Sequence, residues 1–149
     1  MRIGAVDTSV IVAALLGWHE SHEAALRALA TTRDAHGSKL LVPAPALVEA
    51  YSVLTRLPAP HRLAPAVALE LLAGSFEESA DVISLTGGET WRLLADLPTD
   101  GVTGGRTYDA LILRCARKGR ATSLLTLNRR DFEQLPLDGI VLVVPGTND

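Results

Sequence analysis

The stretch Ile3-Gly4-Ala5-Val6-Asp7-Thr8-Ser9-Val10-Ile11-Val12-Ala13-Ala14-Leu15-Leu16 decides how this chain is read. Residues 2–6 form a short apolar run, expected as a buried strand. Residues 10–16 are apolar with helical spacing, expected as a helix. One ionisable side chain, Asp7, stands where the strand hands over to the helix. A strand running directly into a helix is half of a βαβ unit. Strands apolar on both faces belong to a parallel sheet covered on both sides.

The rest of the chain repeats this alternation. Further strands are expected over residues 40–42, 82–85, 122–126 and 140–144. Helices are expected over 21–32, with Ser21 as the candidate N-cap, and over 46–56, 63–73, 88–96 and 107–118. Residues 128–134 suggest a short helical turn. Pro43 should end the second strand, Pro58 and Pro60 should stop helix 46–56, and Pro98 should close helix 88–96. Gly119 stands where helix 107–118 needs a C-cap. Gly87-Gly88 reads as a turn and residues 99–105 as a loop. No internal repeat, low-complexity tract or long linker interrupts the pattern. The fold class is α/β.

With 149 residues, a single domain over 1–149 is expected. Hydrophobic residues at 48% and charged residues at 21% exclude wholesale disorder, and aromatics at 4% leave the core to Leu, Val, Ile and Ala. Cys115 is the only cysteine, which excludes an internal disulfide framework and a multi-cysteine metal site; it reads as a small core residue. Asp7 falls where a signal peptide needs apolar residues, and no run approaches the roughly 18 apolar residues of a membrane span. A cytoplasmic protein with no membrane partner is expected. Net charge is −3, yet seven of the 14 basic residues lie between positions 106 and 130, with Asp109 the one acid among them. Local potential, more than net charge, decides attraction to a polyanion. The same residues also serve as a solvated helix face with cations near its C-terminus.

Three carboxylates stand alone in segments otherwise fit for burial. Asp7 is the only side chain charged at neutral pH between Ile3 and Leu16, Glu49 between Leu40 and Thr55, and Asp109 between Thr107 and Leu113. An unpaired buried carboxylate costs several kcal/mol or shifts its pKa, and a cation offsets that cost. Asp7 closes the first strand at the carboxyl end, where open parallel sheets bind ligands. Asp109 lies in the first turn of its helix and Glu49 about one turn into another, so three βα connections can bring the acids together. Oxygen ligands without His or Cys suit Mg²⁺ or Mn²⁺ rather than Zn²⁺. Each acid also has a structural reading: Asp7 as an N-cap, Asp109 as a first-turn acid behind a Thr107 cap, Glu49 as an exposed or paired residue. Asn128 and Asp131 follow the fourth strand and read equally as a capping box or as ligands of a second cation or a bound water. Gly104-Gly105 reads as a flexible loop or a phosphate approach. Walker A, dinucleotide and Gly-x-Ser-x-Gly motifs are absent. His19, His22, His36 and His61 lack metal-ligand spacing.

Four stretches, in order and nearly spanning the chain, resemble the PIN-domain family. They are Val6-Asp7-Thr8-Ser9-Val10-Ile11-Val12-Ala13-Ala14-Leu15, Val48-Glu49-Ala50-Tyr51-Ser52-Val53-Leu54-Thr55-Arg56-Leu57-Pro58, Tyr108-Asp109-Ala110-Leu111-Ile112, and Leu124-Leu125-Thr126-Leu127-Asn128-Arg129-Arg130-Asp131-Phe132. Within that family the chain looks most like the VapC toxins of bacterial toxin–antitoxin pairs. The resemblance implies a three-layer α/β/α domain with a parallel sheet of about five strands. It implies Mg²⁺- or Mn²⁺-dependent endonucleolytic cleavage of RNA by Asp7, Glu49, Asp109, Asn128 and Asp131, with Asp7, Glu49 and Asp109 as metal ligands. Asn128 stands where some relatives place an acid. RNA would lie along the basic segment, with Arg106, Arg129 and Arg130 as contacts. A homodimer, with Trp18 or Tyr51 as contacts, and a cognate antitoxin covering the active groove are implied as well. Two rivals belong to other classes. A catalytically weak RNA- or protein-binding module would keep the fold without cleavage. A dehalogenase-type phosphotransfer domain would need an acid two residues after Asp7, where Ser9 stands.

Overall fold

The computed structural model describes residues 2–147. Its elements are β1 (Arg2–Val6), α1 (Thr8–Leu15), α2 (His22–Asp34), β2 (Ser38–Pro43), α3 (Ala44–Arg56), α4 (Pro65–Phe76), β3 (Asp81–Ile83), α5 (Gly87–Thr99), α6 (Arg106–Lys118), β4 (Ser123–Leu125), α7 (Arg129–Phe132) and β5 (Val141–Val143). The five strands form one parallel sheet in the order β3-β2-β1-β4-β5. The chain begins at the centre of the sheet, builds outward to β3, then crosses back to add β4 and β5 on the other side. Strand order therefore reverses between β1 and β4. The connections leaving those two strands diverge and open a crevice at their carboxyl ends.

Helices cover both faces, as an apolar parallel sheet requires. Gly4 pairs with Leu40, and a Cβ at Gly4 would lie 2.5 Å from the Thr32 methyl of α2. The next pair in register, Ala5 with Leu41, points to the opposite face. There, a Cβ at Gly119 would lie 2.5 Å from Leu41 Cδ1, so the end of α6 packs directly on β2. The core is aliphatic, with Phe76 and Phe132 as its large aromatic members and Cys115 fully buried. Burial on both faces holds for the central strands and fails at the rims, where Val82 is 50% and Val141 61% exposed.

Every expected element forms, with boundaries shifted by a few residues. Helix α5 differs most. Gly87-Gly88 is its first turn rather than a separate turn, because Thr86 and Glu89 form a capping box: the Glu89 N–H donates to Thr86 Oγ1 at 3.2 Å and the Thr86 N–H to Glu89 Oε1 at 2.9 Å. Pro98 lies inside the helix, which continues to Thr99. In the last turn proline removes a single hydrogen bond, and the carbonyls of Asp96 and Pro98 still receive the N–H groups of Asp100 and Gly101. Ser21 occupies the N-cap position of α2 without a side-chain cap bond, and Gly105, not Thr107, stands at the N-cap of α6.

Candidate active site

The crevice between β1 and β4 is a cleft of about 530 Å³ lined by Asp7, Glu49, Asp109 and Asn128 among others. Each acid arrives from a different element. Asp7 follows β1 and caps α1, accepting the Val10 N–H on Oδ1 at 3.3 Å. The capping and functional readings of Asp7 thus share one geometry. Asp109 stands in the first turn of α6, half-buried. Glu49 is exposed on α3, whose buried positions are Ala46, Ala50 and Leu54. The apolar surroundings of Glu49 in sequence therefore do not translate into burial.

Asp7 is 3% exposed and held by two hydroxyls that sequence reasoning passed over. Ser9 Oγ donates to Asp7 Oδ1 at 2.6 Å and accepts the Leu127 N–H at 2.9 Å. Thr126 Oγ1, fully buried, donates to Oδ2 at 2.6 Å and accepts the Asn128 N–H at 2.9 Å. The backbone after β4 is thereby tied to both carboxylate oxygens. A hydrogen bond from the Asp7 N–H to the Leu125 carbonyl at 3.0 Å joins the same two strand ends. Burial pushes the Asp7 carboxyl above its ordinary range, against the lowering effect of Ser9, Thr126 and the backbone N–H groups of Val10 and Ser9. The Asp109 carboxyl is pushed up to about 6, first by burial and then by the negative charges of Asp131, Asp7 and Glu49, with Arg106 opposing. The four acids thus share one electrostatic neighbourhood.

Asn128 lines the cleft and makes no side-chain cap bond to α7, so the capping-box reading of Asn128 and Asp131 fails. Asp131 is not among the residues lining the cleft; it acts on it through Asp109. His19, Glu20 and Ser21 also line the cleft, although the spacing of the histidines gave no sign of it.

The basic segment divides in the structure. Arg114 pairs with Asp96 at 2.8 Å, Lys118 with Glu89 at 2.6 Å, and Arg117 with Asp138. Arg129 donates to the Leu142 carbonyl at 3.3 Å, and Arg106 to Gln134 at 3.1 Å while facing the charge of Asp109. Arg120 and Arg130 are exposed and make no ion pair among the described residues.

The donor set is oxygen, which fits a hard divalent cation. Among the described residues, no three Asp, Glu, His or Cys side chains stand close enough to enclose one ion directly. Thr8 lines the same cleft, and its Oγ1 is buried without a hydrogen-bond partner.

Comparison with known proteins agrees with the geometry. The family model for the PIN domain matches residues 5–137. Ribonuclease VapC40 of Mycobacterium tuberculosis is 45% identical over 129 residues, covering 87% of this chain and 89% of the relative. Ribonuclease VapC27 of the same organism is 39% identical over 140 residues, covering 94% and 95%. Among solved structures, VapBC2 from Rickettsia felis bound to a DNA fragment from their promoter superposes with a TM-score of 0.63 at 19% identity, covering 96% of this chain and 98% of that one, a likeness of fold. The acids quoted from the sequence stand inside the matched span, and the chain belongs to the PIN-domain family.

Proposed function

We propose that this chain is a metal-dependent endoribonuclease, the toxin of a toxin–antitoxin pair, acting as a single domain over residues 1–149. The observation that carries this reading is the convergence of Asp7, Glu49 and Asp109 on one cleft at the switch point, where burial pushes the Asp7 carboxyl up and burial with the neighbouring negative charges pushes up that of Asp109. Such a cluster is arranged for a cation and makes little sense as a structural ion pair. The names of VapC40 and VapC27 support ribonuclease activity, and the VapBC structure supports a protein partner.

Asp7 and Asp109 would hold Mg²⁺ or Mn²⁺, with Glu49 completing the site through water. Bound there, the cation supplies a more acidic water and positive charge against the phosphoryl group. The protein's own part is positional. Ser9 and Thr126 fix the plane of the Asp7 carboxylate, and Asp7 caps α1 by accepting the Val10 N–H. Asn128, exposed at the end of β4, is placed to orient a water or a phosphate oxygen through its amide. Asp131 tunes Asp109. Arg106 and Arg130 would contact the RNA backbone. Arg129 is a weaker candidate because its guanidinium is engaged by Leu142.

The antitoxin would silence the enzyme by covering the cleft. A homodimer would form through the apolar groove of about 520 Å³ between α3 and α4, where Val48 is 68%, Leu69 63% and Tyr51 38% exposed. No helix among the described residues is long and apolar enough to cross a membrane. The test is direct. Purified protein given cellular RNA and Mn²⁺ should produce discrete fragments, and the antitoxin should stop their formation. Intact RNA under those conditions, with a protein that binds it, would favour the non-cleaving binding module.

A further inference from the structure

Two loops touch through Trp18 and His61, and one of them supplies His19, Glu20 and Ser21 to the cleft lining. Residues 16–21 join α1 to α2, and residues 57–64 join α3 to α4. Trp18 from the first lays its indole against the imidazole of His61 from the second, with ring centroids 4.3 Å apart and planes tilted by 36°. Trp18 is nevertheless 54% exposed, so the fold gains little from the burial an indole offers. The next residue, His19, has its ring centroid 6.2 Å from that of Trp18 and lines the cleft together with Glu20 and Ser21. His19 Nδ1 accepts the Ser21 N–H at 3.0 Å. The neutral ring therefore carries its proton on Nε2, a donor.

We propose that Trp18, backed by His61, is a stacking platform for an unpaired nucleobase of the RNA in the cleft. The proposal rests on the ribonuclease reading and names the substrate feature that this wall selects. An open indole beside a phosphodiester-cleaving cleft offers a π-face to any base, while a base stacked within a duplex cannot reach it. Glu20 on the same wall repels phosphate, which leaves the base as the part of a nucleotide that fits there. Nε2–H of His19 supplies a hydrogen-bond donor next to the stacked ring. The apolar side chains suited to a protein contact, Val48, Leu69 and Tyr51, lie around the separate groove between α3 and α4.

Steady-state cleavage of a short single-stranded oligoribonucleotide in Mn²⁺ tests this, with the parent protein beside Trp18→Ala and Trp18→Phe. Trp18→Ala should raise KM about 5- to 100-fold with kcat little changed, and Trp18→Phe should recover most of the loss. An abasic nucleotide flanking the cleaved bond should make the parent behave as Trp18→Ala does. The chain has two tryptophans, so Trp91→Phe leaves Trp18 as the sole indole, and its emission should be quenched saturably by the oligonucleotide. A folded Trp18→Ala protein that cleaves with the parent's KM overturns the platform and leaves the ribonuclease standing. The same KM together with lost self-association or antitoxin binding would make Trp18 a protein contact and also overturn it. A parent that neither binds nor cleaves RNA sinks the ribonuclease reading, and the platform with it.

Discussion

Helix α3 separates two depressions of nearly equal volume and opposite chemistry. On one side, Glu49 and Val53 face the acidic cleft of about 530 Å³; on the other, Leu47, Val48 and Tyr51 face the apolar groove of about 520 Å³. The cleft buries the Asp109 carboxyl beside other negative charges that push its pKa up, a cost to the fold that a bound cation would relieve. The groove leaves apolar surface in water, a cost that a protein partner relieves. One helix thus serves two unfinished surfaces, and each should fail independently of the other.

The largest break falls on the cleft. Asp7→Asn keeps the shape and the N-cap acceptor but removes the buried charge, and cleavage should fall by at least about 100-fold, beyond what a supporting residue costs at a metal site. Its circular dichroism should match the parent's. Next comes Thr126→Val, which conserves shape and deletes the donor to Asp7 Oδ2 and the acceptor for the Asn128 N–H. Activity and Mn²⁺ affinity, the latter read by titration calorimetry, should each drop about 10- to 100-fold, and Thr126→Ser should restore most of both. On the groove side, Leu69→Glu should weaken self-association by about 10-fold or more, as seen by sedimentation, and leave RNA cleavage within about twofold of the parent. Loss of cleavage in that variant would mean that the two surfaces are coupled.

The smallest effect concerns pH. The Asp109 carboxyl is raised from 3.8 to about 6, so the folded protein binds this proton more tightly than the unfolded chain does. Its ionisation therefore destabilises the fold: the cost is absent below about pH 4, grows as pH rises toward 6 and is complete above it. Discounted for solvent screening, this is roughly 1 kcal/mol, or about 2–4 °C in Tm. In metal-free buffer the Tm of Asp109→Asn minus that of the parent should increase by that amount between pH 4 and 7, and saturating Mg²⁺ should erase the gain. A difference that stays flat with pH would place Asp109 outside the repelling cluster.

The alternation of strands and helices was legible because apolar periodicity is local. So was the gathering of three acids, since a lone charge in an apolar segment needs a reason to be there. What escaped was information carried by hydrogen bonds and by rotation about helices. Ser9 and Thr126 hold Asp7, yet a hydroxyl near an acid costs nothing that a sequence reveals. Glu49 came from a segment that looked buried, but the fully buried positions of α3 are Ala46, Ala50 and Leu54, every fourth residue, and Glu49 falls outside that register. Asn128 and Asp131 have capping-box spacing, but no side-chain cap bond forms at Asn128, whose own N–H goes to Thr126. Seven cations close in sequence suggested a polyanion surface. Arg114, Arg117 and Lys118, spaced i, i+3 and i+4, share one face of α6 and are paired with Asp96, Asp138 and Glu89. His19 reached the cleft through the α1–α2 loop, a placement no spacing rule foretells.

The most direct test of the central claim is cleavage of total cellular RNA by the purified parent and by Asp7→Asn, each with Mn²⁺ and with EDTA. The account predicts discrete fragments from the parent in Mn²⁺ and intact RNA in the other three reactions. Fragments that persist in EDTA, or that Asp7→Asn produces as well as the parent does, would contradict it.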